Sequence, residues 1–222
     1  MTQKHVVILL FILVFLGVLI TGVNSVMSKL EVAISPTPTP AQVIFDKMNQ
    51  NKIGTEPTTS PPKARYDRYP GDLSIKDLEN KKAVVATNRG VIEFEIYPEA
   101  TKAASNFVHL ARDNFYDGLI FHRVVSGFVI QGGDPLGNGT GGPGYKFSDE
   151  PVNKSYDRGI VAMANSGPNT NGSQFFIMLD DNPTLPSLYT IFGKVIRGQE
   201  VVESIQVGDT MNKVSIENLQ KE

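Results

Sequence analysis

Residues Phe121–Asp134 read FHRVVSGFVIQGGD. Apolar residues alternate with a few polar ones on either side of Ser126-Gly127, and that pattern predicts a pair of strands joined by a tight turn. Arg123 stands eight residues before Gln131, in the company of Phe121, Val124, Val125, Phe128, Val129 and Ile130. A cation among such neighbours is either held in a structural ion pair or used. This stretch leaves both readings open; a second stretch further along the chain bears on the choice.

The chain has 222 residues, enough for one good-sized domain and appendages. Its 41% hydrophobic and 20% charged content suits a globular protein, and a net charge of −2 argues against a general nucleic-acid binder. There are no cysteines, which excludes disulfides, thiol catalysis and cysteine-ligated metal. His5, His109 and His122 have no ligand spacing to one another, so no metal is expected.

Lys4 and His5 precede an apolar run, and Val6–Val23 is uncharged over about 18 residues, close to the lower limit for a membrane-spanning helix. A soluble core helix would carry a polar face, and this run has none. Residues 1–27 therefore read as a transmembrane anchor or a signal peptide. Val23-Asn24-Ser25 is a poor cleavage site and the run is long for a signal, which favours an uncleaved single-pass anchor. Lys4 would keep the N-terminus cytoplasmic and place the remainder on the extracytoplasmic side; after cleavage the remainder would be secreted. Residues 28–80 then read as a disordered, flexible linker, because proline-rich runs at Ser35–Pro40 and Pro57–Pro62 favour extended, solvated chain. As a coil of about 50 residues it would span on the order of 40 Å.

The domain at 81–222 carries strand patterns at Ala83–Thr87, Val91–Ile96, Ile160–Ala164, Gln174–Met178, Tyr189–Ile196 and Val214–Ile216, in addition to the pair in Phe121–Asp134. Val91, Glu93 and Glu95 alternate with Ile92, Phe94 and Ile96, so one face of that strand is expected to be wet. Ala104, Phe107, Val108 and Ala111 mark an amphipathic helix with Thr101 as N-cap, and Gly198–Ile205 marks a second, short helix. Gly137–Gly142 formally matches G-x-G-x-x-G, but no helical pattern follows it. It reads as an irregular surface loop, and no cofactor is expected. Many strands, few helices and no βαβ alternation point to a mainly β barrel or sandwich with helices at its ends.

Phe121–Asp134 together with MANSGPNTNGSQFFI (Met163–Ile177) resembles the cyclophilin family of peptidyl-prolyl cis/trans isomerases. Phe115-Tyr116-Asp117-Gly118 upstream and Tyr189–Val195 downstream add to the resemblance, which spans Ala83–Glu217 and lies nearest the compact bacterial type. It implies a closed eight-stranded antiparallel barrel capped by two helices, acting on X-Pro bonds of exported, unfolded or extended polypeptide as a monomer. By position, Arg123 matches the catalytic arginine and Gln131 the glutamine that orients it or contacts substrate. Phe128, Val129, Phe176 and Leu185 match the walls of the proline pocket, with Tyr189 on its rim. Ala164 and Asn165 match the segment that pairs with the peptide backbone, Gln174 matches another groove residue, and His122 a structural position beside the site. Two departures stand out. Tyr189 replaces the histidine of many eukaryotic members, and Thr184 replaces a tryptophan that helps hold cyclosporin, with Pro186-Ser187-Leu188 forming an altered turn beside it.

The chemistry the resemblance implies is non-covalent. Rotation about X-Pro crosses a barrier of about 18–20 kcal/mol, and at its top the proline nitrogen regains its lone pair. A donor aimed at that nitrogen binds the twisted state better than either planar state, and only such differential binding accelerates. Arginine stays charged and offers several rigid N–H donors. A competing reading is a low-turnover proline-peptide binding or chaperone module on the same tether.

Overall fold

The computed structural model describes residues 66–220. Eight antiparallel strands form one sheet: β1 (Lys81–Thr87), β2 (Gly90–Ile96), β3 (Arg123–Val125), β4 (Val129–Gly132), β5 (Ile160–Met163), β6 (Phe175–Met178), β7 (Ile191–Arg197) and β8 (Met211–Asn218). Among the described residues three helices accompany them: α1 (Ile75–Leu78), α2 (Thr101–Arg112) and α3 (Gln199–Ser204). Neighbours in the sheet run β3-β4-β6-β5-β7-β2-β1-β8.

The expected closed barrel is an open half-barrel. β3 and β8 are the two ends of the ladder and do not pair with each other. The gap is tied instead by the segments that precede them. Ile120 bridges Thr210, and Gly118 and Met211 each donate a backbone bond across the gap, at 2.7 and 2.8 Å. These loop segments bond as irregular chain, so no ninth run of alternating residues announces the junction.

Side chains on opposite faces of the central strands serve two separate clusters, as two-residue alternation requires. Val161 and Met163 of β5 and Phe175 and Ile177 of β6 join the inner core under α2. Ile160, Ala162, Phe176 and Met178 join a second cluster on the outer face. The inner core is strongly aromatic: Phe107 of α2 stacks on Tyr116 at 4.9 Å and meets Phe94, Phe175 and Phe192 within 5.5 Å. Because both faces are covered, β4, β5 and β6 are buried at every position.

Three local expectations need correction. Thr101 is the first helical residue and Ala100 is the N-cap, without a side-chain cap bond. The cap is supplied from far along the chain, by Glu150, whose carboxylate accepts from Lys102 N and Ala103 N at 2.9 Å each. The face of β2 expected to be wet is broken at Glu93, which is only 7% exposed and is paired with Lys82 at 2.7 Å and with Arg197. Finally, the stretch read as linker to residue 80 is packed from Tyr66 onward. Tyr69 meets Tyr145 and Phe147 at 5.9 and 5.4 Å, Leu73 N donates to Ser105 Oγ, and Leu78 of α1 is fully buried. The proline-rich runs lie before Tyr66, and residues 66–80 hold a single proline, Pro70, so the extended-chain preference does not reach into this stretch. The rest of the linker and the apolar run at 6–23 lie outside the described residues, and among the described residues no helix is long and apolar enough to cross a membrane.

The Lys82 hydrogen bond holds the Glu93 carboxyl below its ordinary range, with Arg197 adding to it against the opposing effect of burial. A carboxyl lowered in the folded state stabilises above its unfolded pKa, and that stability is lost as pH falls through the folded value. Glu93→Gln is therefore expected to cost about 1–2 kcal/mol at neutral pH. The deficit should shrink as pH falls below the unfolded glutamate's ordinary value of about 4.3 and vanish once the native carboxyl, which is held lower, protonates. Denaturant melts of both chains at two pH values measure this.

Candidate functional site

The strand register builds one row of side chains across the outer face. Arg123 of β3 pairs with Gln131 of β4, Gln131 with Phe176 of β6, Phe176 with Ala162 of β5, and Ala162 with Ile191 of β7. Directly opposed residues on neighbouring strands lie about 5 Å apart on the same face. The β3–β4 turn makes the first pairing possible: Gly127 takes φ +68, and Phe128 N returns to Val125 O at 3.0 Å.

The floor of the site is apolar. Val129, Ala164 and Phe176 are buried, and Phe128, Leu185 and Tyr189 are half-buried around them. The Phe176 and Tyr189 rings meet edge to face at 5.6 Å, and the Arg123 guanidinium carbon sits 5.9 Å from the Phe128 ring centre. Burial lowers the Arg123 pKa from its ordinary value, and Tyr189 pushes the other way. Arg123 Nη1 donates to Gln131 Oε1 at 3.3 Å, and Gln131 Nε2 donates to Gln174 Oε1 at 2.9 Å. Gln174 Nε2 in turn donates to the carbonyls of Gly139 and Gly141 at 3.0 and 2.9 Å.

All ten residues singled out by sequence gather on this face or its rim. Arg123, Gln131, Phe128, Val129, Phe176, Leu185 and Tyr189 form a cation beside an apolar pocket. The Ala164 N–H is taken by Gln174 O at 3.0 Å. Asn165 Nδ2 donates to Leu188 O at 2.9 Å, which ties the 164–165 segment to the altered turn. Gln174, read as a groove residue, has its amide oxygen and nitrogen both engaged within the protein. His122 is buried beside the loop, on which a Cβ at Gly139 would lie 3.9 Å from His122 Nε2.

Sequence reading missed Tyr156 and Asp134. The Tyr156 hydroxyl accepts from Tyr189 N at 3.0 Å and donates to Tyr189 O at 2.9 Å, so one buried phenol fixes the backbone of the rim. No local pattern in residues 148–159 marks that role, because the partner is 33 residues away. Burial pushes the Tyr156 phenol up to about 12, which keeps it a donor at working pH. Asp134 gathers the glycine-rich loop. Aspartate ahead of a Pro- and Gly-rich stretch is a turn signal that could have pointed to it.

A family model described as "Cyclophilin type peptidyl-prolyl cis-trans isomerase/CLD" matches residues 82–221. The chain is 49% identical over 129 residues to peptidyl-prolyl cis-trans isomerase B of Bacillus subtilis, covering 57% of this chain and 90% of that protein. It is 53% identical over 130 residues to peptidyl-prolyl cis-trans isomerase CYP18-1 of Arabidopsis thaliana, covering 56% and 81%. A crystal structure of a Cryptosporidium parvum cyclophilin type peptidyl-prolyl cis-trans isomerase matches with TM-score 0.58 and 39% identity, over 62% of this chain and 98% of that one. A structure of that Cryptosporidium protein in the presence of the dipeptide Ala-Pro matches with the same TM-score at 37% identity, over 62% and 99%.

Tyr156→Phe removes the hydroxyl from both bonds to Tyr189. The expected result is a loss of about 1–2 kcal/mol in stability and a severalfold rise in KM for a proline peptide with kcat little changed. Thermal melts and a peptide titration check it.

Proposed function

The chain belongs to the cyclophilin-type peptidyl-prolyl cis-trans isomerases and is an enzyme of that class, and from this premise we propose that Arg123 donates to the prolyl nitrogen of the twisted X-Pro bond. The observation that carries this reading is the cross-sheet row in which a cation stands beside an apolar floor of Val129 and Phe176. A proline ring on that floor, between Phe128, Leu185 and Tyr189, brings its nitrogen beside the guanidinium. The Ala-Pro dipeptide named with the Cryptosporidium protein supports a proline-containing ligand for this groove.

No bond to a heavy atom is made or broken. As the C–N bond twists, conjugation is lost and the nitrogen becomes a hydrogen-bond acceptor, so the Arg123 bond strengthens only on the way to the barrier top. Reaching ~10³ s⁻¹ requires removing about 7 kcal/mol. One charge-assisted bond, exclusion of water by the aromatic walls and a held ring together supply that order of stabilisation. Gln131 keeps the guanidinium in the plane that meets the nitrogen.

The remainder of the proposal concerns place. The uncharged run Val6–Val23 supports a single-pass membrane anchor, and the proline-rich chain after it supports a tether holding a monomeric catalytic domain on the extracytoplasmic side. The clients would then be proline-containing segments of exported chains before they fold.

Arg123→Ala is expected to lower kcat/KM for a cis-proline peptide by about 10²–10³-fold with an unchanged melting temperature. A variant as active as the native chain sinks the mechanism. Because arginine keeps its proton throughout, kcat/KM should be flat from about pH 6 to pH 9, unlike the bell of an acid–base enzyme. For placement, the full-length protein should stay in washed membranes, and protease added from the extracytoplasmic side should release an active soluble fragment. Activity recovered wholly in the soluble fraction without protease would refute the anchor.

A further inference from the structure

We propose that Asp134 is a positioning residue for Arg123, acting through the glycine-rich loop and two glutamines; the inference rests on the reading of Arg123 given above. Asp134 is 1% exposed, and its carboxylate accepts three backbone bonds, from Leu136 N at 2.8 Å, Asn138 N at 3.1 Å and Gly139 N at 2.5 Å. Three N–H groups gathered on one carboxylate satisfy it and fold residues 135–141 back over it. Little slack remains in that fold. A Cβ at Gly141 would lie 2.0 Å from Asp134 Oδ1.

The gathered loop delivers two carbonyls, Gly139 O and Gly141 O, to the single nitrogen Gln174 Nε2. An amide nitrogen has two N–H donors and its oxygen has none, so two converging carbonyls decide which end of the Gln174 amide faces the loop. The Gln174 oxygen must then face Gln131. Gln131 answers with its own nitrogen, at 2.9 Å, and its oxygen is thereby turned to accept from Arg123. Reversing the Gln131 amide would set a donor against the guanidinium, and reversing the Gln174 amide would set one against Gln131 Nε2. Asp134 thus fixes the polarity of a four-residue relay whose last member is the catalytic donor. The same relay accounts for the long glycine-rich loop, which binds no cofactor in this reading and serves as a rigid double acceptor.

The test uses the full chain and a double-mutant cycle in the proline-peptide assay, with melting temperature as the check on folding. Asp134→Ala should lower kcat by about 10–100-fold, leaving KM within about twofold. In the Arg123→Ala background, assayed at raised enzyme concentration, adding Asp134→Ala should cost nothing further. An equal loss in both backgrounds, or no loss in the native background, overturns the proposal while leaving the Arg123 reading intact. Full activity of Arg123→Ala alone overturns that reading and this inference with it. If Asp134→Ala does not fold, Gln174→Met decides, because it cuts the relay while leaving Asp134 and its three backbone bonds in place. It should show the same kcat loss, again absent when Arg123 is already alanine, and unchanged kcat overturns the proposal.

Discussion

The site depends on strand register. Arg123, Gln131, Phe176 and Ala162 share a face because they are directly opposed across β3, β4, β6 and β5. A slip of one residue in β3 would set Val124 opposite Gln131 and turn the guanidinium into the aromatic core. Such a slip is costly on both sides. Val124 packs against the inner cluster and Val129 and Phe176 serve the outer one, so the core that stabilises the sheet also fixes where Arg123 stands. Packing and the placement of Arg123 are therefore specified by the same alternation.

That coupling explains why the outer face is built as a second core. An isolated arginine on a wet sheet would spend its donors on water and gain little from a neutral nitrogen. Here Tyr156 pins Tyr189, Tyr189 packs on Phe176, and the rim closes over apolar side chains. The lowered dielectric strengthens each hydrogen bond made within it. It also makes any misdirected donor expensive, which is why the polar groups of Gln131 and Gln174 have to be engaged. The cost of burying two amides is offset by the orientation they impose.

How much of this was legible in the residues differs by range. Arg123 and Gln131, spaced evenly about a Ser-Gly turn, could be read as facing partners once a hairpin was assumed, and the strands rich in β-branched and aromatic residues stood out. The pocket walls were legible only jointly, through the two long motifs, since Phe128 or Phe176 alone reads as ordinary core. Long-range pairings were not legible. Glu150 caps a helix 48 residues before it, and the Ile120–Thr210 bridge joins the sheet ends through irregular chain. Periodicity carries no information about either. The packed stretch from Tyr66 was obscured by the proline-rich runs before it, although Tyr66 and Tyr69, two places before and one place after Arg68, are aromatic surface that packs on Tyr145 and Phe147.

The departures at Tyr189 and Pro186–Leu188 follow from the same physics. Tyr189 does its structural work through its backbone, held by Tyr156, and through its ring edge on Phe176. Neither contact needs a titratable imidazole. What the rim requires is an apolar ring packed on Phe176, and tyrosine meets that requirement. The altered turn is likewise anchored at one point, where Asn165 Nδ2 meets Leu188 O. A backbone carbonyl is available whatever side chain occupies position 188, so the turn can change in sequence while the 164–165 segment stays in place. The side chains of the turn are thus free to diverge where its backbone bond to Asn165 is not.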